Sequence, residues 1–145
     1  MKLTIKQISK DTAEEIILCC HDTEASWVKA VQNISDGQLT ITGTFNQRMY
    51  RIKLSDIYYF EVVDGTSFFY CQKEIFSCKL HLYEFETLCG GTMLFRCSKS
   101  MVLNADKISY VHPSFSGRFE AVLDNGEKVI VSRQYVPELK RLFGA

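Results

Sequence analysis

The sequence has no apolar run long enough to span a membrane and few of the residues that mark linkers. Its longest uncharged stretch, residues 37–47, is rich in threonine, whereas a spanning helix takes about 20 apolar residues. The first 15 residues lack the apolar core and small-residue cleavage site of a signal peptide. Two prolines and eight glycines among 145 residues exclude collagen-like and low-complexity chains. We therefore expect a soluble, cytoplasmic protein.

Motifs of the common nucleotide-binding and hydrolytic sites are also missing. The sequence contains no Walker-type loop, G-x-G-x-x-G, H-E-x-x-H or G-x-S-x-G. Gly90-Gly91 follows a predicted helix, and a helix C-terminus presents carbonyls rather than N–H groups to a phosphate. Cys20 and His21 are neighbours in a predicted strand, so their side chains should point to opposite faces. We predict that the protein is not an enzyme and binds no cofactor and no metal. A small enzyme that uses Cys20 is the third functional hypothesis, after the two given at the end of this section.

Six cysteines are present, but their spacing predicts neither a disulfide framework nor a zinc site. Cys19 and Cys20 are adjacent, and the other four stand singly in apolar runs. No C-x-x-C pair occurs, and the three histidines are scattered. We expect buried free thiols in a reducing compartment. A redox-sensing thiol and a metal site are the alternatives, and no spacing favours either.

The chain has no net charge, with 17 basic and 17 acidic residues. This balance excludes a strongly basic nucleic-acid binder but leaves room for a local basic face. Residues 1–45 hold four basic and six acidic residues, a formal charge of −2. Residues 46–145 therefore carry +2, which is too small an asymmetry to indicate a partner alone.

Residues 1–45 predict a small αβ N-terminal head. Residues 1–8 and 15–20 are short apolar segments that predict two strands. Apolar side chains recur at helical spacing over residues 24–34, with Asp22 or Thr23 as the predicted N-cap. The apolar face of this helix either packs on the two strands of the head or contacts a partner or second copy.

The pattern changes to a period of two after Gly37, which predicts short β-strands. Asp64-Gly65 and Asn125-Gly126 are turn signals, and Asn-Gly is the strongest short hairpin signal. The fold class is mainly β (α+β): an antiparallel β-sheet sandwich with short peripheral helices, residues 46–145 forming the domain. The predicted strands are 39–45, 50–54, 57–63, 67–71, 74–78, 93–97, 101–103, 108–111, 119–123 and 129–131, with helices at 82–88 and 137–143.

Three polar sets interrupt the apolar segments and are the candidate binding residues. Arginine, lysine, glutamine and serine contact phosphates or read base edges in protein–DNA complexes. Each set alone is typical of solvated loop surface, but together they would form one nucleic-acid-facing edge if the fold gathers their loops. The first set is Asp64, Gly65, Thr66 and Ser67; the second is Arg96, Ser98, Lys99 and Ser100; the third is Ser132, Arg133 and Gln134.

Four segments carry a family resemblance: LSDIYYFEVVDG, LYEFETL, MLFRCSKSMVLNADKI and LDNGEKVIVSRQYVPELKRLF. They correspond to an I-x-Y-x-E strand, an L-x-E-L-E helix, an F-x-R-x-x-x-S-x-x-V-N-x-x-x-I block and a terminal S-R-x-Y block. In order and spacing, the stretch from Ile52 to Leu142 resembles the LytTR-type DNA-binding domain of bacterial response regulators of the LytR/AlgR kind.

The resemblance implies a β-sheet domain that places loops, rather than a recognition helix, against double-stranded DNA. Two loops would enter successive major grooves and a third would approach the backbone between them. Ser67 matches the first contact site, Lys99 the second, and Arg133-Gln134 the third. Ser67 and Ser98 depart from the family, which often has a longer or basic residue at the first position and a histidine at the second. Asn104 also matches a family position, and we interpret it as a structural strand-end turn residue.

The length before the match adds a further expectation. About 45 residues precede it, which is too few for a receiver domain. The chain therefore resembles stand-alone LytTR regulators, which implies a small integral-membrane inhibitor encoded nearby and sequestration at the membrane. A transcriptional regulator binding repeated sites as two copies, as a homodimer on DNA, is the first hypothesis. A protein-interaction or ligand-sensing β-domain without DNA binding is the alternative.

Overall fold

The computed structural model describes residues 1–35 and 39–145, and the chain divides into two units, residues 1–38 and 39–145. The boundary predicted after Phe45 falls within a β-hairpin of the second unit. Strands β1 (Thr40–Phe45) and β2 (Arg48–Lys53) pair along their whole length, which keeps residues 40–45 with the sheet.

Helix α1 (Ser26–Ser35) is the regular element of the first unit among residues 1–35. The Asp22 carboxylate accepts a hydrogen bond from the Glu24 N–H just before the helix begins. The strands predicted at 1–8 and 15–20 are wrong. A strand needs a neighbour to pair its backbone N–H and C=O groups, and the described residues supply none to these segments. Most of their apolar side chains, Ile5 and Ile17 among them, are exposed.

The second unit is built on a seven-stranded antiparallel sheet with the order β2-β1-β5-β4-β3-β7-β6. A hairpin turn at Asp64-Gly65, as the turn signal predicted, and a second at Gln72-Lys73 connect the central strands. Its further strands are β3 (Tyr59–Val63), β4 (Thr66–Tyr70), β5 (Ile75–Cys78), β6 (Leu94–Arg96) and β7 (Met101–Asn104).

A three-stranded antiparallel sheet with the order β10-β9-β8 and two short helices complete this unit. The strands are β8 (Ile108–Pro113), β9 (Phe119–Leu123) and β10 (Lys128–Val131); the helices are α2 (Leu82–Leu88) and α3 (Val136–Leu142). Pro137 lies in the first turn of α3, where its missing N–H leaves no bond unmade. The predicted mainly β architecture with peripheral helices is confirmed.

Strands β6 and β7 are buried on both faces, and this burial joins the layers. Phe95 and Leu103 enter a core with the three-stranded sheet and α3. Their neighbours Leu94 and Val102 enter a second core, which includes Phe85 of α2. Because successive side chains of a strand point to opposite faces, a three- or four-residue strand contributes to both cores. The large sheet therefore packs against the three-stranded sheet and α3 on one face and against α2 on the other.

The second core is rich in stacked aromatic rings. Fully buried Phe60 of β3 stacks on Phe85 of α2, with ring centroids 4.2 Å apart. Phe69 stacks on Phe76, and Gly43 of β1 faces this pair. A Cβ atom on Gly43 would lie 2.3 Å from the Phe69 ring, so only glycine admits this close approach.

Asn104 is a buried structural residue, as the sequence interpretation held. Its side-chain amide donates a hydrogen bond to the Ile57 carbonyl at 2.8 Å, and its oxygen accepts the Asp106 N–H at 3.0 Å. The first bond connects the end of β7 to the residue that leads into β3, and the second closes the turn after β7. A buried polar group with both partners in place is stabilising, and losing it leaves those partners unpaired.

We predict that Asn104→Ala lowers the free energy of unfolding by about 1–3 kcal/mol, since the buried Ile57 carbonyl loses its donor and the Asp106 N–H loses its acceptor. Asn125→Ala is the matched control. Asn125 makes the same kind of bond, to the Glu127 N–H at 3.0 Å, but is exposed, so water can replace it. Urea denaturation measures both variants. An equal loss of stability in the two would contradict the structural role of Asn104.

Candidate nucleic-acid interface

The first two predicted polar sets lie at the same end of the seven-stranded sheet. The Asp64-Gly65 turn connects β3 to β4, and the loop of residues 97–100 connects β6 to β7. Val62 of β3 donates its N–H to the Ser100 carbonyl at 3.0 Å, which places the loop beside the turn. Antiparallel pairing of β3 with both β4 and β7 brings these connections to one edge.

The third polar set joins this end through the smaller sheet. Ser132 follows β10 and donates its N–H to the Cys97 carbonyl at 2.9 Å. Val131 of β10 pairs with Phe119 of β9, which places the turn of residues 114–118 at the same end. We call the 64–66, 97–100, 114–118 and 132–135 segments together the loop end.

Four of the predicted site residues present exposed side chains at the loop end: Thr66, Lys99, Arg133 and Gln134. Within the described ranges, the Lys99 ammonium and the Arg133 guanidinium make no ion pair. A cation without an internal partner is available to an anionic ligand. Asp64 is the acidic residue of the turn beside them, so the loop end carries mixed charge with an excess of cations.

Arg96 is directed into the protein and holds the loop that carries Lys99. Its guanidinium donates to the Ser98 and Lys99 carbonyls, both at 2.6 Å, and to the Glu86 carboxylate at 2.9 Å. It also lies over the Tyr135 ring, 6.0 Å from its centroid. With 27% of its side chain exposed and its donors engaged, Arg96 shapes the interface rather than presenting a charge to it.

Ser98 and Ser100 are half-buried and stabilise the same loop. The Ser98 hydroxyl accepts the Ser100 N–H at 3.3 Å, and the Ser100 carbonyl accepts the bond from β3. The loop begins at Cys97, which is fully buried, and burial raises the pKa of its thiol to about 12. The thiol therefore stays protonated at neutral pH. All six cysteines are free, as expected, but the expectation that they are buried holds only for Cys89 and Cys97; Cys19 is exposed and the other three are half-buried.

Ser67 has a buried side chain whose hydroxyl donates to the Leu80 carbonyl at 2.6 Å. This bond ties β4 to the segment that leads from β5 to α2. The hydroxyl is not presented to solvent, and the exposed neighbour at this position is Thr66. The alternation of a strand would have distinguished the two: Thr66 and Ser67 must face opposite sides of the sheet.

Two exposed basic residues, one within the loop end and one beside it, are absent from the predicted set. Lys79 lies close to Thr66 along one groove after β5, and Arg118 ends the turn between β8 and β9. Arg118 lines a shallow polar cleft with Arg133 and Gln134. Both basic residues stand singly in the sequence, so only the pairing of distant strands reveals where they lie.

The opposite end of the sheets has a different chemistry. The Tyr58 hydroxyl donates to the Asp124 carboxylate, and this hydrogen bond is the main cause that raises the pKa of Tyr58 to about 12. Lys107 lies over the Tyr58 ring at 5.2 Å from its centroid. Acidic residues also lie at this end, Asp56 and Glu74 beside Lys73 and Lys107, whereas cations are in excess at the loop end. The loop end is therefore the better candidate for an anionic ligand.

Comparisons with known proteins agree with this geometry: a β-sheet domain that gathers exposed polar loops at one end. The family model described as the LytTr DNA-binding domain matches residues 47–144. The chain belongs to this family, LytTR. It is a family of DNA-binding domains rather than a class of enzymes.

Individual relatives give the same result. The chain is similar to the sensory transduction protein LytT of Enterococcus faecalis, at 30% identity over 97 residues, which are 67% of this chain and 40% of that protein. The transcriptional regulatory protein YpdB of Escherichia coli K12 is 30% identical over 127 residues, 82% of this chain and 52% of that protein. The chain therefore spans about half, or less, of the length of these curated relatives.

A solved structure matches the fold. The LytTr DNA-binding domain of a response regulator from Bacillus cereus superposes with a TM-score of 0.69 at 27% sequence identity. The match covers 75% of this chain and the whole of that domain. In the part of the chain that the structure describes, no helix is long and apolar enough to cross a membrane.

We predict that Arg96→Ala weakens DNA binding without removing a DNA contact, because the Ser98 and Lys99 carbonyls lose the guanidinium that donates to both. Stability should fall by about 1–3 kcal/mol. Arg96→Lys should restore only part of both, since an ammonium cannot bridge the same set of acceptors. Arg141→Ala, which removes an exposed arginine paired with Glu138, is the control. Amide hydrogen exchange checks the mechanism: exchange at residues 98–100 should be faster in Arg96→Ala and unchanged in the control Arg141→Ala. Unchanged exchange in Arg96→Ala would contradict the mechanism.

Proposed function

We propose that the protein is a sequence-specific DNA-binding transcriptional regulator that contacts double-stranded DNA through the loop end. The observation that carries this proposal is the bond from the Ser132 N–H to the Cys97 carbonyl. It joins two loops from different sheets, so that Lys99, Arg133 and Gln134 are exposed at one edge. Membership of the LytTR family supports DNA as the ligand.

The exposed side chains differ in the contacts they can make. Lysine donates to guanine O6 and N7, glutamine can pair with adenine N6 and N7, and a threonine methyl packs on the thymine methyl. Lys99, Gln134 and Thr66 are therefore the candidates for reading bases. Arg133, with its planar guanidinium, suits either a guanine or a phosphate.

A loop-based interface needs a rigid support, and the two cores provide it. The major groove is about 12 Å wide and admits a helix or a two-stranded ribbon. The β3–β4 turn and the 97–100 loop each cap such a ribbon, and buried residues at their base hold both. Because the loops are fixed before binding, little conformational entropy is lost when DNA is bound.

We further propose that two copies bind repeated DNA sites. The loop end presents few unpaired cations, and affinity that rests on neutralising few phosphates is modest and weakly salt-dependent. Two copies on adjacent sites gain affinity through effective concentration. Restraint by a small integral-membrane inhibitor, with sequestration of the cytoplasmic protein at the membrane, is proposed from the family resemblance alone.

We predict that Lys99→Ala and Arg133→Ala each weaken binding to a duplex from the gene's own upstream region by about 1–3 kcal/mol. Arg48→Ala, an exposed arginine on edge strand β2, should leave affinity unchanged. Fluorescence anisotropy at two salt concentrations, with a scrambled duplex beside the native one, measures all four proteins.

Tighter binding of the wild type to the native duplex, weakened by salt, is the expected result. Equal and negligible binding to both duplexes would contradict the proposed function and favour an interaction or ligand-sensing domain. Specific binding that survives both substitutions would retain the function and reject the site.

A further inference from the structure

The turn between β8 and β9 is a rigid element of the loop end that the predicted site does not include. Ser114 donates its backbone N–H to the Arg118 carbonyl at 2.8 Å, and Arg118 donates its backbone N–H to the Phe115 carbonyl at 3.2 Å. Ser116 (φ 59°) and Gly117 (φ 75°) both adopt left-handed backbone conformations. The reversal is tight, and it directs the Arg118 side chain to the exposed surface.

This turn packs directly against the third polar set. A Cβ atom on Gly117 would lie 2.9 Å from Cδ and 3.1 Å from Cγ of Arg133. The aliphatic stem of Arg133 therefore rests on the bare backbone of Gly117, in a space that no other residue type leaves open. The contact fixes where the Arg133 guanidinium emerges, next to Arg118.

A polar cleft of about 330 Å³ lies between the turn and the start of the last helical segment. Every side chain known to line it can donate a hydrogen bond, and no carboxylate of the described residues lines it. Within residues 1–35 and 39–145, neither the Arg118 nor the Arg133 guanidinium makes an ion pair. The lining residues are Ser116, Arg118, Ser132, Arg133 and Gln134.

We infer that this cleft binds a phosphate of the DNA backbone, with Arg118 as a contact residue. The inference rests on the proposed function, since it adds a fourth loop to the same interface. Guanidinium groups bind phosphate oxygens in bidentate geometry, and serine hydroxyls and a glutamine amide complete a set of donors. A recess with two guanidinium groups suits an anion with several acceptor oxygens better than a base edge, which offers donors and acceptors together.

The tip of the turn fits the same ligand. Phe115 is 88% exposed, at the end of the loop that carries Arg118. A ring this exposed is free to pack on a deoxyribose next to the bound phosphate. The cleft and Phe115 together match the alternation of charge and apolar surface along a DNA backbone.

The test compares Arg118→Ala and Arg118→Lys with Arg48→Ala as the matched control. A phosphate contact carries no base information, so Arg118→Ala should weaken native and scrambled duplexes by the same factor. Losing one phosphate lowers the log–log salt slope by about 0.9, so the affinity change between about 50 and 200 mM salt shrinks about 3.5-fold. Arg118→Lys should keep most of the slope, because it keeps the charge.

A scan of duplexes with one neutral methylphosphonate per position locates the phosphate. One position should weaken the wild type and Arg48→Ala but leave Arg118→Ala unaffected. If the wild type binds the native duplex specifically and Arg118→Ala matches Arg48→Ala in affinity and slope, the inference fails while the proposed function holds. If the wild type binds neither duplex, the proposed function fails with it.

Discussion

The hydrogen bond from the Ser132 N–H to the Cys97 carbonyl is the connection on which the interface depends. It lies where the two sheets meet, between fully buried Val131 and fully buried Cys97. It holds the loop that carries Lys99, on the large sheet, beside the segment that carries Arg133, on the small sheet. Because buried apolar residues stand on both sides of the bond, water cannot readily replace it. The relative position of the two cations is thus set by the core.

The sequence predicted the strands, turns and helices of the second unit closely, because their signals are local. Alternating apolar residues, Asp64-Gly65 and Asn125-Gly126 each act over a few positions, and the structure contains the hairpins they predict. The order of strands in the sheets is non-local, and the sequence analysis did not predict it. The head was predicted wrongly at 1–8 and 15–20 because apolar content was read as strand without a partner to pair it.

The candidate site was predictable as a set of loops but not residue by residue. An arginine in a polar loop is typical of a ligand-binding site, but Arg96 donates to the Ser98 and Lys99 carbonyls instead. Only the folded loop brings these carbonyls within reach. Ser67 is on the buried side of its strand, where Leu80 satisfies its hydroxyl. Arg118 carries no local signal at all, and its place beside Arg133 follows from the pairing of β9 with β10. A loop-end surface therefore contains both residues that present charge and residues that hold the loops.

The most direct test of the account is to map the DNA-binding surface by NMR on the ¹⁵N-labelled protein. A duplex from the upstream region is titrated in, and amide chemical shifts are followed residue by residue. The account predicts that the largest changes fall at residues 64–66, 97–100, 114–118 and 132–135. The opposite end, residues 72–74 and 124–127, should change little. Changes centred on that opposite end, or none at any loop, would contradict the account.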